Sequence, residues 1–306
     1  MFITNGYKFS IIGLLLLITA DTLHAYTNNE HTENISASIE LSKNNFYAGE
    51  IIIATLYVNC INSELAFIDD IPPLKLSKGE IATILPINHP VTSHVENNNG
   101  QQLTKYVIGQ YAISIDQAGK NNIDISDIIA GINIPVIQNH PFWGRIESFR
   151  TEKRTLKFKP VSINVMRLPD NKDELPYSGV IGNFHIETIV PNGEYVVNEG
   201  NTIYIVLEGE GLLPEEILPE YTHAFGDKIK LKSISGSTNT IYKDNKLISK
   251  RTWQCEIMPC ETGLQEIGIV SFGYFNTERG NYQVTESRPV AINIQSSTIR
   301  REVIDI

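Results

Sequence analysis

Apolar and polar residues alternate with period two in one short segment after another, the pattern of strands with one buried and one wet face. The segments predicted as strands are Ser36 to Leu41, Ile51 to Cys60, Glu80 to Leu85, Leu103 to Ile115, Asn122 to Ile128, Ile132 to Ile137 and Thr155 to Met166. A second set follows: Asn183 to Ile189, Thr202 to Glu208, Lys228 to Ile234, Thr238 to Tyr242, Leu247 to Met258, Gln265 to Phe275 and Tyr282 to Ile294. Gly49, Gly79, Asn97-Asn98-Asn99-Gly100, Gly119 and Gly131 separate the first set as turn signals. No window carries a helical stripe of three turns, so the pattern predicts an all-β fold.

The pattern also repeats. One constant spacing carries Gly49-Glu50 and the run Ile51 to Cys60 onto Gly200-Asn201 and the run Thr202 to Glu208, placing Ile52, Ala54 and Leu56 on Ile203, Ile205 and Leu207. A slip of one residue would turn the whole apolar set outward, so a matched register preserves the buried face. Further on, Ala112-Ile113-Ser114-Ile115, Gly119, Ile123 and Ile125 are echoed by Glu256-Ile257-Met258-Pro259, Gly263, Ile267 and Ile269. Two echoes in the same order predict a duplicated module, too long for a solenoid unit of roughly 20–50 residues. The polar stretch from Leu168 to Pro176, bracketed by prolines, reads as a boundary. The expected organisation is a signal peptide over 1–25, a first immunoglobulin-like β-sandwich over 34–168, a linker over 169–177, a second such sandwich over 178–295 and a tail over 296–306. The Cys–Trp–Cys signature of antibody domains is absent, so only the architecture is expected.

Lys8, the apolar run Ile11 to Ala20 and Leu23-His24-Ala25 together read as a secretory signal, with the mature chain beginning near Tyr26. The run is shorter than the about 20 residues of a spanning helix, and a retained anchor is the alternative. Export to the periplasm, or to the periplasmic face of the inner membrane, is the expected location. The net charge is −10, and Lys8 and Asp21 cancel within the leader. That acidity argues against nucleic acid or an anionic membrane surface as partner. Three cysteines, Cys60, Cys255 and Cys260, leave at least one thiol unpaired. Cys60 falls on the apolar alternates of its strand and reads as a small buried hydrophobe. Cys255 and Cys260 flank Pro259, and a disulfide between them would have to overcome poor geometry for neighbours on one strand.

Catalytic chemistry is not legible. His89, His94 and Glu96 read as a solvated loop ahead of an Asn-rich turn and not as metal ligands. His140-Pro141-Phe142-Trp143 reads as an aromatic cluster packing the base of a loop. His185 lies in a strand among apolar neighbours, with a structural role expected. Ser235-Gly236-Ser237 lacks the surroundings of a nucleophile elbow, and no phosphate-binding glycine loop is present. The expectation is therefore a protein that is not an enzyme, with no cofactor, metal or small-molecule substrate. Two connections mix acidic and apolar residues and end in proline: Asn62 to Pro73 in the first module and Glu208 to Pro219 in the second. They read as equivalent crossings between sheets, their apolar residues plugging the sandwich end, or as partner-binding loops presenting Asp69, Asp70, Glu215, Glu216, Leu212 and Leu213.

The second module carries Ser178-Gly179-Val180-Ile181-Gly182-Asn183-Phe184, Asn198-Glu199-Gly200-Asn201, Gly209-Glu210-Gly211-Leu212 and Leu218-Pro219. Near its end come Pro259-Cys260-Glu261-Thr262-Gly263, Tyr274-Phe275-Asn276 and Gly280-Asn281-Tyr282. In these residues it resembles the repeated domain of BatD-type oxygen-tolerance (aerotolerance) proteins. The first module shares the plan through Phe46-Tyr47-Ala48-Gly49-Glu50 and the Gly119 turn. The resemblance implies a non-enzymatic envelope protein of immunoglobulin-like domains, acting with membrane proteins that carry von Willebrand factor A domains and, indirectly, with a MoxR-type AAA+ ATPase. Most members of that family continue into a transmembrane helix, whereas only eleven residues follow Gln295 here. Von Willebrand A domains often hold a Mg²⁺ with incomplete coordination. Such a hard cation takes carboxylate oxygens, so Asp69-Asp70 or Glu215-Glu216 are the residues that would complete it. The alternative class is a carbohydrate-binding or adhesin-like sandwich, which calls for exposed aromatic platforms. Trp143 and Trp253 are the only tryptophans.

Overall fold

A computed structural model describes residues 35–85, 93–98 and 101–297. The leader, His89 and the end of the tail lie outside the described residues. The first module comprises β1 (Ile35–Leu41), β2 (Asn45–Tyr47), β3 (Ile51–Ile61), β4 (Glu64–Ile68), β5 (Lys75–Leu76), β6 (Glu80–Ile84), β7 (Ser93–Asn98), β8 (Gln101–Ser114), β9 (Gly119–Asp124), β10 (Ile128–His140), β11 (Gly144–Leu156) and β12 (Val161–Met166). The second comprises β13 (Ile181–Ile189), β14 (Tyr195–Val196), β15 (Asn201–Gly211), β16 (Ile229–Lys243), β17 (Lys246–Pro259), β18 (Gly263–Ile267), β19 (Ser271–Asn276), β20 (Asn281–Glu286) and β21 (Val290–Gln295). The fold is all-β, two immunoglobulin-like β-sandwiches in tandem.

The duplication is visible in the pairing. In the first module β1-β3-β8 form a sheet whose far edge carries β6 and β7, facing a sheet of order β2-β12-β9-β5. In the second, β13-β15-β17-β16 match β1, β3, β8 and the β6/β7 edge, while β14-β21-β18 match β2, β12 and β9. Even the unusual parallel pair recurs, β2 with β12 and β14 with β21. Ile52, Ala54, Leu56, Ile203, Ile205 and Leu207 are all fully buried, at no more than 1% exposure, as the repeated alternation requires. Each large aliphatic among them stabilises its sandwich by about 1.5–3 kcal/mol.

The expected match of Gly49 with Gly200 is corrected by two residues. The amides of Gly49 and Asn198 make the equivalent bonds, to Ile115 O and Pro259 O, and both residues have left-handed backbone, φ +83° and +60°. Glycine and asparagine tolerate that conformation best. Gly200 instead belongs to a two-residue extension before β15.

Several predicted strands were too long or too short for a physical reason. Thr155 to Met166 is broken before β12, where Pro160 cannot donate to a ladder. Tyr282 to Ile294 is broken in the same way beside Pro289. Asn122 to Ile128 and Gln265 to Phe275 each divide at a corner between sheets. Lys228 to Ile234 and Thr238 to Tyr242 are one strand, β16, with a register shift between Leu231 and Ser233. β11 escaped prediction because most of its residues face water, leaving no apolar alternation to read.

The modules touch through apolar surface. At the β16–β17 turn, Asp244 and Asn245 both have left-handed backbone, φ +51° and +60°, as a two-residue hairpin of this type demands. Beside that turn Tyr242 and Leu247 pack on Ile53, Leu85 and Ala112, on the outward face of the first module's sheet. The Gln110 amide nitrogen donates to the Tyr242 hydroxyl at 2.8 Å, and the Tyr47 ring meets Phe275 edge-on at 4.7 Å between centroids. This cover explains why Ile53 and Thr55 are buried although they lie on the alternates that point away from the sandwich core.

Candidate functional site

The two acidic connections diverge once they leave their strands. In the first, Asn62 turns the chain with left-handed backbone, φ +50°, and Glu64–Ile68 becomes strand β4, pairing with β10 from Asn133 back to Ala130. Asp69 follows that strand: its amide donates to Ile129 O at 3.0 Å and its carboxylate meets Lys153 Nζ at 3.3 Å. Asp70 Oδ1 accepts from the Ile71 amide at 2.8 Å. In the second, Glu215 and Glu216 are exposed in a turn soon after β15 ends, and the counterpart of the β4–β10 pairing comes later, as the single bridge of Glu220 with Ser271 at the start of β19. The acidic pairs therefore lie on opposite sides of that pairing, Asp69-Asp70 after it and Glu215-Glu216 before it. The apolar partners differ as well. Leu212 is exposed, whereas Leu213 is buried in the second core and offers no contact surface.

The second connection is held from beneath. Trp253, fully buried on β17, donates from Nε1 to Ile217 O at 3.1 Å. The Arg251 guanidinium lies 5.4 Å from the Trp253 ring, and its Nη1 donates to Thr238 Oγ1 at 2.7 Å. Gly236, in the Ser-Gly-Ser segment, faces this stack, and a Cβ there would lie 2.7 Å from Arg251 Nη2. That glycine makes room for packing and serves no nucleophile.

Some of the residues that carry the family resemblance converge at one end of β13 and β15, while Asn198 and Pro259 meet at the other end of β15, where the Asn198 amide donates to Pro259 O. Gly182, Gly209 and Gly211 come together where β13 meets β15, and the Phe184 ring fills the space their missing side chains leave. Phe184 in turn meets Tyr274 edge-on at 5.6 Å. Beside it the buried Asn276 accepts through Oδ1 from the amides of Glu278 and Arg279, at 3.0 and 2.9 Å, and donates to Asn183 Oδ1 at 3.2 Å. At the same sheet end Lys246 donates to Glu210, which holds the lysine above its ordinary pKa. The motif is a packed, hydrogen-bonded corner.

The aromatic segment that was expected to pack a loop base is corrected outright. Pro141-Phe142-Trp143 is the turn of the β10–β11 hairpin, closed by His140 opposite Gly144, whose φ of +70° completes the three-residue loop. Phe142 is 90% and Trp143 77% exposed. Among the described residues, β10 beyond the Asn133–Glu64 pair bonds to β11 alone, so seven residues on each strand extend past the three-stranded part of the sheet, about 23 Å at the usual strand rise. At its base Pro135 and Phe149 share a cleft of about 340 Å³ with Val95, Thr104 and Tyr106.

The remaining candidates are structural or outward-facing. His94 and Glu96 lie in strand β7, paired opposite Lys105 and Leu103, and not in a loop. The His185 side chain is exposed on the outer alternates of β13, opening on a cleft of about 560 Å³ with Glu187, Glu286 and Arg288, and not among core residues. All three cysteines are free, and burial raises the Cys60 and Cys255 thiols from 9.0 to about 11. Among the described residues no group of three or more His, Cys, Asp and Glu side chains is arranged to hold a metal ion.

No protein-family model matches the chain, and a search of curated proteins returns no match. Solved structures align over most of its length at low similarity. The C-terminal domain of the AgI/II polypeptide BspA of Streptococcus agalactiae is 6% identical, with 84% of this chain and 99% of that chain covered, at a TM-score of 0.22. The adhesin InvE of Yersinia pseudotuberculosis is 10% identical over 85% of this chain and 61% of its own, at 0.21. A type II cohesin dyad from the adaptor scaffoldin ScaA of Acetivibrio cellulolyticus is 11% identical over 86% and 96%, at 0.18.

Proposed function

We propose that this chain is an exported, non-enzymatic protein-interaction module of a BatD-like oxygen or envelope-stress tolerance system, working with membrane proteins that carry von Willebrand A domains. The observation that carries the reading is that seven of the resemblance residues, Gly182, Asn183, Phe184, Gly209, Gly211, Tyr274 and Asn276, meet in one packed corner of the second module. Motifs used for packing specify a scaffold, and a rigid scaffold is what presents loops to a partner. Glu215 and Glu216 are the stronger of the two acidic pairs for completing a partner's Mg²⁺, because they are exposed and their loop is pinned by Trp253 at Ile217 O. Asp69 is already engaged by Lys153.

Crosslinking in membranes followed by affinity purification tests the assignment: von Willebrand A proteins should be recovered with Mg²⁺ and lost with chelator. Glu215→Gln with Glu216→Gln should abolish recovery without altering thermal stability, and Asp69→Asn with Asp70→Asn should weaken it less. Chelator-resistant recovery that survives both double substitutions overturns the metal-bridged contact. The second reading, a carbohydrate-binding or adhesin-like protein, is favoured by the exposure of Trp143, a ring free to serve as a sugar platform. Recovery of glycans in place of von Willebrand A proteins would select it.

A further inference from the structure

A charge without a counter-charge lies beside one edge of the second module's main sheet. Arg251 on β17 is only 5% exposed, yet among the described residues no carboxylate pairs with it, and its buried Nε has no hydrogen-bond partner. Its Nη1 donates to Thr238 Oγ1 at 2.7 Å, and the Trp253 ring, 5.4 Å away, offsets only part of the cost of burying a charge. Thr238 stands opposite Arg251 on β16, and two residues before it Gly236 is exposed, so placed that a Cβ would lie 2.7 Å from Nη2. The guanidinium therefore extends from β17 over the neighbouring strand, into space that a side chain at Gly236 would take.

That neighbouring strand is the edge. Among the described residues β16 pairs with β17 alone. An edge strand presents a row of unpaired amides and carbonyls, which proteins blunt with lysines, prolines and bulges. On β16 those devices stand at the two ends, at Lys230, at the register shift between Leu231 and Ser233, and at Lys243. The residues from Ser233 to Thr240 between them carry neither charge nor proline and are mostly exposed. The exposed strand β11, by contrast, carries charge along its whole length.

We propose that the β16 edge takes up an extended peptide as a further strand, with an acidic side chain of the peptide pairing with Arg251. A strand added there lies about 4.8 Å beyond β16 and turns alternate side chains to the same face as Gly236 and Thr238. An Asp or Glu at that level meets a guanidinium already extended toward it, and the planar fork of arginine matches a carboxylate. Main-chain bonds supply adhesion and Arg251 supplies selectivity. The charge of the site argues against a second copy of this chain as the occupant. Two β16 strands paired antiparallel about the middle of the uncharged stretch would set Lys230 directly opposite Lys243 and bring two Arg251 groups together, and opposed like charges are destabilising. The site is separate from the Glu215-Glu216 loop, and its test needs no von Willebrand A protein.

The probe is an acetylated and amidated nonapeptide, Thr-Val-Thr-Val-Glu-Val-Thr-Val-Thr, compared with versions that carry glutamine or lysine at the centre. Binding is read by anisotropy of the labelled peptide and by hydrogen exchange of the protein. The glutamate peptide should bind saturably at concentrations up to about 1 mM and slow amide exchange between Ser233 and Thr240. The glutamine version should bind at least about tenfold more weakly, and the lysine version more weakly still. Arg251→Met should reduce the glutamate peptide to the level of the glutamine one and leave the glutamine peptide unaffected. Its melting temperature should be unchanged or raised, since no ion pair is broken. The comparison of peptides on the wild-type protein needs no variant, so it decides the matter even if Arg251→Met folds poorly. Absence of saturable binding by the glutamate peptide, equal binding of the glutamate and glutamine peptides, or binding without slowed exchange in β16 overturns the proposal. Protection of the same amides without peptide also overturns it, assigning the edge to a second copy if protection rises with protein concentration, or to the chain's own tail if deletion of residues 298–306 removes it.

Discussion

The hairpins β10–β11 and β19–β20 occupy the same place in the two modules and are built in opposite ways. β19–β20 is six residues on each strand and joins the main sheet through a short parallel pairing of β13 with β19. It buries Phe272, Tyr274 and Phe275. β10–β11 is thirteen residues on each strand, leaves the main sheet, and takes β4 as its third strand. It carries its aromatics outward. One duplicated template thus supports both a closed wall and a projecting arm. The difference lies in the side chains: β19 is buried along nearly all its length, whereas the outer half of β10–β11 leaves Ile137, Phe142, Trp143 and Ile146 exposed. The two copies share their buried alternates and differ in whether this hairpin turns its aromatics inward or outward.

The largest effect should separate the hairpins most clearly. Phe275→Ala removes a fully buried ring that packs on Tyr47 of the first module and on Tyr282, and should cost about 3–5 kcal/mol in urea unfolding. Phe149→Ala on the arm, at 64% exposure, should change stability by no more than about 0.5 kcal/mol. Equal effects would erase the distinction. Gly131→Ala tests whether β4 is a true third strand of the arm's sheet. A Cβ there would come 2.2 Å from the Phe67 ring, so destabilisation of about 1–3 kcal/mol is expected in thermal melts, with partial recovery in the double variant carrying Phe67→Ala.

The two cores should behave alike where the hairpins do not. Cys60 and Cys255 are fully buried, one in each module, with thiols raised from 9.0 to about 11 chiefly by burial. In the unfolded chain these protons are lost at lower pH than in the folded protein. Their contribution to stability is therefore complete below about pH 9 and is lost as pH rises toward about 11. At neutral pH a thiol reagent should label Cys260 alone in the native protein and all three cysteines in denaturant. The smallest effect concerns the paired turns. Asn198→Gly should shift stability by only a few tenths of a kcal/mol, while Asn198→Ala should cost about 1 kcal/mol in chemical denaturation, because the position is left-handed. Gly49→Ala should cost more, since a Cβ there also meets Ile181 Cδ1 at 2.7 Å.

What was legible in the sequence was what period two records. The alternation of Ile52, Ala54 and Leu56 and its copy at Ile203, Ile205 and Leu207 identified the buried faces and the duplication. β4 and β11 were not legible: the register shift in β4 sets its inward residues Leu65 and Ile68 three apart and so breaks the alternation, and charge on both sides of β11 looks the same as a loop. The position of Trp143 was invisible for a related reason, since an aromatic cluster beside a proline has the same spelling whether it closes a core or crowns an arm. The acidic pairs were found, but their assumed equivalence failed because Asp69 comes after a strand that the second module replaces with the single bridge at Glu220.

The seating of Tyr242 and Leu247 on Ile53, Leu85 and Ala112 also sets a schedule for the nascent chain. At a synthesis rate of about 5–20 residues per second, the first sheet is complete roughly 7–30 seconds before the hairpin that covers it has been made. During that interval the outer face of β3 is an adhesive surface on an otherwise finished sandwich. A chaperone that holds the chain through that window would act on Ile53 and its neighbours, and its task would end when Asp244 and Asn245 turn the second module's hairpin onto them.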